Sequence, residues 1–226
     1  MAIRIAINGF GRIGRNVLRS GWNNDEFEFV HINDLTSDDM LAYLLSHDSV
    51  HGEWEAAEAV EGGIRIGDAV IPTTAERDPS KLPWADANVD IVLECTGVFT
   101  DGNKARAHIE AGAKKVIISA PGKNVDGTFV MGVNDDELTA DMTIVSNASC
   151  TTNCLAPLAK VLHEMGHALD FRRRRFPGLY ALSRMVPGVA LYQEYLASLY
   201  AIEYLREIGD QAEEITDATA APENEC

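Results

Sequence analysis

The stretch Asn8-Gly-Phe-Gly-Arg-Ile-Gly14 decides the fold of this chain, because it carries the spacing G-x-G-x-x-G between two different periodicities. The apolar run 3–7 before it predicts a buried strand, and residues 12–22 after it have the apolar spacing of a helix. In that context the first glycine permits a tight turn and the second lets the backbone approach a pyrophosphate, while the third allows close helix–sheet packing. The stretch therefore predicts a dinucleotide site, with a ligand-free glycine turn as the alternative.

Asp34 follows the predicted strand 27–32 and lies 20 residues beyond Gly14. A carboxylate at this place can accept hydrogen bonds from the adenosine ribose hydroxyls, and it would repel a 2′-phosphate. Together with Gly9 and Gly11, Asp34 therefore predicts that the cofactor is NAD rather than NADP.

Outward from this stretch, short β-rich runs alternate with helical stretches up to residue 162. The alternation predicts βαβ units, so the expected fold class is α/β, with a Rossmann, doubly wound and mostly parallel sheet. The later predicted strands are residues 90–95, 115–119 and 142–146, the later helices are residues 103–111 and 154–162, and residues 62–71 are predicted to form a hairpin insertion.

The composition changes after Glu164, where arginines and tyrosines become frequent. We expect a NAD-binding Rossmann domain over residues 1–162 and a short helical segment over 163–209 in place of the usual second domain. An acidic tail is expected over 210–226. Within the second part, residues 189–208 have apolar side chains at helical spacing.

Bulk properties exclude several classes of partner. The formal net charge of −16 disfavours nucleic acid and membrane surfaces, because a polyanion would be repelled. The sequence contains no apolar run of membrane-spanning length and no signal-peptide layout at its start. We therefore expect a cytoplasmic protein whose four cysteines are thiols.

Cys150 lies between a predicted strand and a predicted helix, so we expect it at a helix amino terminus. The positive field there favours the thiolate, which is the reactive form of a cysteine. A buried structural cysteine is the alternative, and Cys154, one helical turn later, fits that alternative well.

Several segments together resemble the phosphorylating glyceraldehyde-3-phosphate dehydrogenases, in the order and spacing of that family. The resemblance covers roughly residues 2–164, about half of a usual member. The segments are Asn8-Gly-Phe-Gly-Arg-Ile-Gly14, Asp48-Ser-Val-His-Gly52, Glu76-Arg-Asp-Pro79, Glu94-Cys-Thr-Gly97, Ser119-Ala-Pro-Gly-Lys123 and Ser146-Asn-Ala-Ser-Cys-Thr-Thr-Asn-Cys154.

The resemblance implies a role for each matching residue. Cys150 would attack an aldehyde to form a thiohemiacetal, hydride would pass to NAD, and phosphate would release the acyl group. Ser149 and Thr151 would hold the aldehyde substrate or phosphate. The residues implied to bind NAD are Gly9, Phe10, Gly11, Arg12, Ile13, Gly14, Asp34, Arg77, Thr96, Gly97 and Ser119.

The sequence departs from the family after residue 164. The His-Ser/Ala-Tyr-Thr segment that supplies the general base, the S-loop that helps to form the tetramer and the Tyr-Asp-Asn-Glu-Trp motif are absent. His163 would lie roughly 20 Å from Cys150 on a continuous helix, whereas proton transfer needs about 3 Å. We therefore expect impaired dehydrogenase activity, and the resemblance leaves homo-oligomerisation open.

A second motif, His163-Glu-Met-Gly-His167, matches H-E-x-x-H, which places two histidines on one helix face where both can reach one zinc ion. Residues 162–171 resemble the active helix of a gluzincin-type zinc metallopeptidase, and residues 194–201 resemble its glutamate helix. By that resemblance His163, His167 and Glu194 would bind zinc, with Glu164 as general base.

Three hypotheses about function follow from these patterns. The first is an NAD-dependent oxidoreductase of the glyceraldehyde-3-phosphate dehydrogenase type, and the second is a zinc-dependent hydrolase. The third is a non-catalytic NAD-binding module. The two resemblances meet near residues 161–164, which indicates a fusion, whether natural, engineered or an assembly error.

Overall fold

The computed structural model of the protein describes residues 2–173, and the side chains of residues 2–165. These residues form four α-helices and eleven strands, together with 3₁₀ turns at Pro79–Lys81 and Asp135–Glu137. In chain order the elements are β1 (Ile3–Asn8), α1 (Arg12–Gly21), β2 (Phe27–Asn33), α2 (Asp38–Ser46), β3 (His47–Asp48), β4 (Gly52–Glu53), β5 (Ala57–Val60), β6 (Gly63–Ile66), β7 (Ala69–Thr74), β8 (Ile91–Glu94), α3 (Gly102–Glu110), β9 (Lys115–Ile118), β10 (Gly127–Thr128), β11 (Ile144–Ser146) and α4 (Cys150–Arg173).

Nine strands form one sheet in the order β10-β11-β9-β8-β1-β2-β7-β6-β5. All pairs from β10 to β7 are parallel, whereas β6 pairs antiparallel with both β7 and β5. The predicted Rossmann sheet and the predicted hairpin insertion are therefore both confirmed. The strand order reverses on the two sides of β1, and such a switch point is where doubly wound sheets bind ligands.

Helices cover both faces of the sheet. Adjacent residues of β1 point to opposite faces, and Ala6 and Ile7 accordingly belong to two separate buried clusters. Ala6 packs in a cluster that includes Ala105 of α3, and Ile7 packs in a cluster that includes Leu18 of α1. This arrangement buries β1 on both sides and fixes the position of the turn that follows it.

The predicted elements are present to within a few residues, except that α4 spans Cys150–Arg173 rather than the predicted residues 154–162. Helix α2 and the short strands β3, β4, β5 and β10 were not predicted. Ser149 explains the earlier start, because its hydroxyl accepts the backbone N–H of Thr152 at 3.0 Å and so caps the first turn.

The chain divides into two units at residue 153, and the first unit, residues 1–153, is compact. The first unit contains the whole sheet, the glycine turn and Cys150. No described helix is both long and apolar enough to cross a membrane. The predicted three-part division stays a prediction, and its segment 189–208 and tail 210–226 lie outside the described residues.

Candidate functional site

A cleft of about 440 Å³ opens at the carboxyl ends of the central parallel strands. It lies where β1, β2 and β8 end side by side, which is the switch point of the sheet. The residues that line it are Asn8, Gly9, Gly11, Asn33, Asp34, Leu35, Glu76, Arg77, Cys95, Thr96, Val98 and Phe99.

The structure explains why each of the three positions in the opening motif is a glycine. Gly9 has φ +94°, and a Cβ on it would lie 2.6 Å from the backbone nitrogen of Thr96. A Cβ on Gly14 would overlap the carbonyl oxygen of Gly9. Gly11 lines the cleft and has open space beside it, with no atom within 4 Å of the position that a methyl group would take. The first and third glycines therefore serve packing, and the second keeps the cleft clear.

The start of α1 offers backbone donors beside Gly11. Gly11 is the N-cap and has no side chain to satisfy the first turn. Among the described residues, no protein acceptor receives the backbone N–H groups of Arg12 and Ile13. Unpaired N–H groups and the positive end of the helix dipole together favour an anion such as a phosphate.

Asp34 lies beside the glycine turn, directly after β2. Its Oδ2 accepts the backbone N–H of Phe10 at 2.7 Å, and its Oδ1 accepts that of Thr36 at 2.9 Å. The Phe10 side chain is fully buried, so this residue contributes only its backbone to the site. The carboxylate is thereby held in one orientation, with its remaining lone pairs available for hydroxyl donors.

The floor of the cleft is a polar network whose residues were not predicted to belong to the site. Asn8, Asn33 and Glu94 are the last residues of β1, β2 and β8, and all three are buried. Asn33 Nδ2 donates to Asn8 Oδ1 at 2.7 Å, and Asn8 Nδ2 donates to Glu94 Oε2 at 2.6 Å. The sequence did contain a signal for these residues, since each of the three apolar strands ends with a polar side chain.

The other residues predicted to bind the cofactor divide into two groups. Arg77 and Thr96 line the cleft, whereas Arg12, Ile13, Gly97 and Ser119 lie outside its lining. Arg12 faces a second cleft and comes within 3.5 Å of Asp48.

Burial of Cys95 inside the main cleft raises the pKa of its thiol to about 11, despite a hydrogen bond from Ser119 that lowers it. Cys95 is therefore a protonated wall residue at neutral pH.

Cys150 is exposed and is the first residue of α4, which begins four residues earlier than predicted. The turn before it is tightly organised, because Ala148 adopts φ +55° and its N–H donates to Ser146 Oγ at 3.1 Å. The hydroxyl of Ser149, a predicted substrate contact, is hydrogen-bonded to the Thr152 hydroxyl at 2.8 Å. This local network presents the Cys150 thiol at the positive end of the helix.

The predicted zinc site falls largely outside the described side chains. Helix α4 extends through Arg173, so the backbone places positions 163 and 167 one turn apart on it. The side chain of His167 and all of Glu194 lie outside the described residues, and the described part of the chain holds no cluster of three metal-ligating side chains. The zinc site stays a prediction, and metal analysis of the purified protein beside a His167→Ala variant tests it.

Comparison with known proteins agrees with this geometry. Residues 3–102 match the glyceraldehyde 3-phosphate dehydrogenase, NAD binding domain, family. Glyceraldehyde-3-phosphate dehydrogenase 1 of Bacillus subtilis (strain 168) is 55% identical over 166 residues, which cover 73% of this chain and 50% of the relative. The same four values hold for the Geobacillus stearothermophilus enzyme, and Streptomyces arenae glyceraldehyde-3-phosphate dehydrogenase 1 is 55% identical over 167 residues. The chain spans about half the length of the curated relatives it matches. The amino-terminal part of the chain is therefore similar to glyceraldehyde-3-phosphate dehydrogenases, and residues 3–102 match the NAD-binding domain of that family.

Proposed function

We propose that the chain binds NAD in the cleft at the switch point and acts as an NAD-dependent oxidoreductase of the glyceraldehyde-3-phosphate dehydrogenase type. One observation carries the proposal: Gly11, with open space beside it, and Asp34 line one cleft, and the free N–H groups at the start of α1 follow directly after Gly11. A dinucleotide needs those three features, since it has a pyrophosphate and a ribose with two hydroxyls.

The residues of the cleft fit this cofactor. Gly11 and the N–H groups of Arg12 and Ile13 would hold the pyrophosphate, and Asp34 would accept the adenosine ribose hydroxyls. Arg77 and Thr96 would contact the cofactor from the other walls. When bound, NAD supplies a hydride acceptor.

Cys150 is the proposed nucleophile, on the strength of its exposure at the start of α4. Its thiolate would attack the aldehyde carbon, forming a C–S bond while the carbonyl oxygen takes a proton. Loss of the aldehyde hydrogen as hydride, for which bound NAD would be the acceptor, together with loss of the hydroxyl proton, would then leave a thioester on Cys150. Attack by a phosphate oxygen breaks the C–S bond, releases an acyl phosphate and returns the thiolate. Ser149 and Thr151, which flank Cys150, are proposed to hold the substrate or the phosphate.

The proposed substrates are thus a small aldehyde and inorganic phosphate. We further propose that residues 1–226 by themselves turn over slowly, because this stretch does not include the segment that supplies the general base in the family. Loss of a general base costs about 10²- to 10⁴-fold. The predicted cytoplasmic location and the absence of nucleic-acid and membrane partners belong to the same proposal, and homo-oligomerisation is left open.

An NADH-formation assay with glyceraldehyde-3-phosphate and phosphate tests the activity, and isothermal titration with NAD tests the binding. We expect NAD to bind and NADH to form slowly, with Cys150→Ser abolishing NADH formation while leaving the NAD dissociation constant unchanged. A flat NAD titration would overturn the whole proposal. NAD binding without any NADH formation would leave the non-catalytic NAD-binding module as the function.

A further inference from the structure

A carboxylate and an imidazole are completely buried beneath the cleft, and neither has a role in the proposed chemistry. The Glu94 side chain is 1% exposed, the His108 side chain is 0% exposed, and His108 Nε2 lies 2.9 Å from Glu94 Oε2. Glu94 ends β8, whereas His108 comes from α3 on one face of the sheet. Buried ionisable groups are costly to desolvate, so a pair at this position calls for an account beyond packing.

The hydrogen-bond partners determine where the protons lie. The indole nitrogen of Trp84 can only donate, and it lies 3.0 Å from His108 Nδ1. His108 Nδ1 must therefore be the acceptor, which leaves the hydrogen on Nε2, facing Glu94. The imidazole is thus neutral and donates to the carboxylate. His108 reaches Glu94 in one fixed tautomer.

Glu94 in turn holds both sides of the cleft. Its Oε1 accepts the backbone N–H of Thr96 at 2.9 Å and also accepts the Thr96 hydroxyl. Its Oε2 accepts Asn8 Nδ2 from the neighbouring strand. Four donors on two oxygens are the pattern of an ionised carboxylate, which has acceptors alone.

The two turns that Glu94 joins are in direct contact. The Gly9 turn leaves no room for a side chain against the Thr96 backbone, and Cys95 N–H donates to the Asn8 carbonyl at 2.7 Å. A shift of Thr96 would therefore narrow or widen the cleft beside the glycine turn. Outer hydrogen-bond partners commonly set the geometry of a binding site in this way.

We propose that the buried Glu94–His108 pair is a positioning device for the cofactor: His108 orients the Glu94 carboxylate, and Glu94 fixes the Thr96 turn against the Gly9 turn at the spacing that NAD requires. The proposal rests on the proposed NAD binding. His108 and Glu94 are positioning residues that act through Thr96.

Two substitutions at His108 separate positioning from packing. In His108→Gln the amide nitrogen can take the place of Nε2 and keep the donor to Glu94, whereas in His108→Asn the amide oxygen can take the place of Nδ1 and keep only the bond to Trp84. Both variants lose packing and should unfold at a lower temperature. We expect the NAD dissociation constant, measured by calorimetry on folded protein, to rise about tenfold in the Asn variant and less than about twofold in the Gln variant.

The exposed residue Thr96 provides a test that does not depend on folding of a core variant. Thr96→Val should weaken NAD binding about tenfold and Thr96→Ser less than about twofold, because serine keeps the hydroxyl that Glu94 accepts. In the Thr96→Val background, His108→Asn should cause little further loss, since His108 acts through Thr96.

Each other outcome overturns the inference. Wild-type affinity in Thr96→Val or in His108→Asn would show that the network does not position the cofactor. Equal losses in His108→Gln and His108→Asn would show a packing role, and losses that multiply in the double variant would show that the two residues act independently. A flat NAD titration of the unmutated chain would instead show that the proposed function itself is wrong.

Discussion

The backbone N–H of Phe10 donates to Oδ2 of Asp34 across 2.7 Å, which joins the glycine turn after β1 to the end of β2. Because the Phe10 side chain is fully buried, its N–H group is a fixed donor. Asp34 is therefore held by the fold before any ligand arrives, and a rigid carboxylate discriminates better than a mobile one.

Asp34→Asn should narrow the preference for NAD over NADP. The amide keeps the shape of the side chain but removes the charge that would repel a 2′-phosphate. We expect the ratio of the two dissociation constants to fall at least about tenfold, through both weaker NAD binding and stronger NADP binding. Calorimetric titration of both cofactors measures the ratio.

Asp68→Asn is the matched control, because it removes one negative charge from an exposed position on the β6–β7 hairpin. Its cofactor preference should equal that of the unmutated chain. If that chain already binds NAD and NADP equally, the role proposed for Asp34 is wrong.

Gly11→Ala and Gly14→Ala should produce opposite phenotypes. A methyl group on Gly11 enters open space beside the cleft, at a φ of −69° that alanine accepts. We expect its NAD affinity to fall at least about tenfold, with a stability loss below about 1 kcal/mol.

A methyl group on Gly14 instead meets the Gly9 carbonyl inside the packed turn. We expect an unfolding free energy about 1–3 kcal/mol lower. Denaturant unfolding and NAD titration of both variants check the pair. Equal stability losses would contradict the separate roles of the two glycines.

Cys150 should react with iodoacetamide before Cys154 and well before Cys95. At pH 7 a thiol with a pKa of about 11 is ionised in roughly one molecule in 10⁴, whereas Cys150 is exposed at the positive end of α4. Mass spectrometry of the labelled peptides gives the order, in a Cys226→Ser background that removes the cysteine of the terminal segment.

Labelling in denaturant provides the control, since it should make the three cysteines equally reactive. Labelling of Cys95 should become fast in the folded protein only as the pH approaches 11. Faster modification of Cys95 than of Cys150 at neutral pH would remove Cys150 from its role as nucleophile.

Acid should destabilise the first unit through His31. Burial lowers the pKa of His31 below its ordinary value of 6.5, where it lies against Trp84 and 3.1 Å from the Thr74 hydroxyl. Above pH 6.5 the His31 ring is neutral in both the folded and the unfolded chain, so its burial does not lower the free energy of unfolding. As the pH falls below 6.5 the unfolded chain binds a proton that the folded chain resists, and stability falls until the lowered pKa is passed.

The expected slope from this residue is at most about 1.4 kcal/mol per pH unit. Denaturant unfolding between pH 7.5 and pH 5 should show a shallower decline in His31→Gln than in the unmutated chain. His51→Gln, which changes an exposed histidine, should keep the original slope. An identical slope in His31→Gln would contradict the assignment.

The sequence predicted the features of this structure that are local in the chain. The central strands, helix α1 and the hairpin at residues 62–71 each have a periodicity or a turn signal within a dozen residues. Helix α2 was not predicted, although Ser37 at its N-cap and the two acidic residues of its first turn are signals of a helix start. The start of α4 was predicted four residues too late because the Thr-Thr-Asn of its first turn has weak helix propensity. The Ser149 hydroxyl caps that turn and allows the helix to begin there.

The glycine turn and Asp34 were predictable for the same reason, and both line the cleft. The polar network at the floor of the cleft was not predictable, because Asn8 is 86 residues from Glu94 and 100 residues from His108 along the chain. No short sequence motif predicts that a residue at a strand end and a residue of a helix will both hydrogen-bond to one carboxylate. Such pairings follow from sheet order, which emerges only when β1 lies between β2 and β8.

The order of strands also has a consequence for synthesis of the protein. The central strand β1 is synthesised before its partner β8, which is encoded more than eighty residues later, and the cleft is lined by residues from Asn8 to Phe99. At about 5–20 residues per second, a ribosome needs several seconds to add the chain between them. During that interval one edge of β1 has no partner from β8, so the nascent chain exposes an apolar strand edge that a chaperone could shield, and NAD cannot yet assist folding.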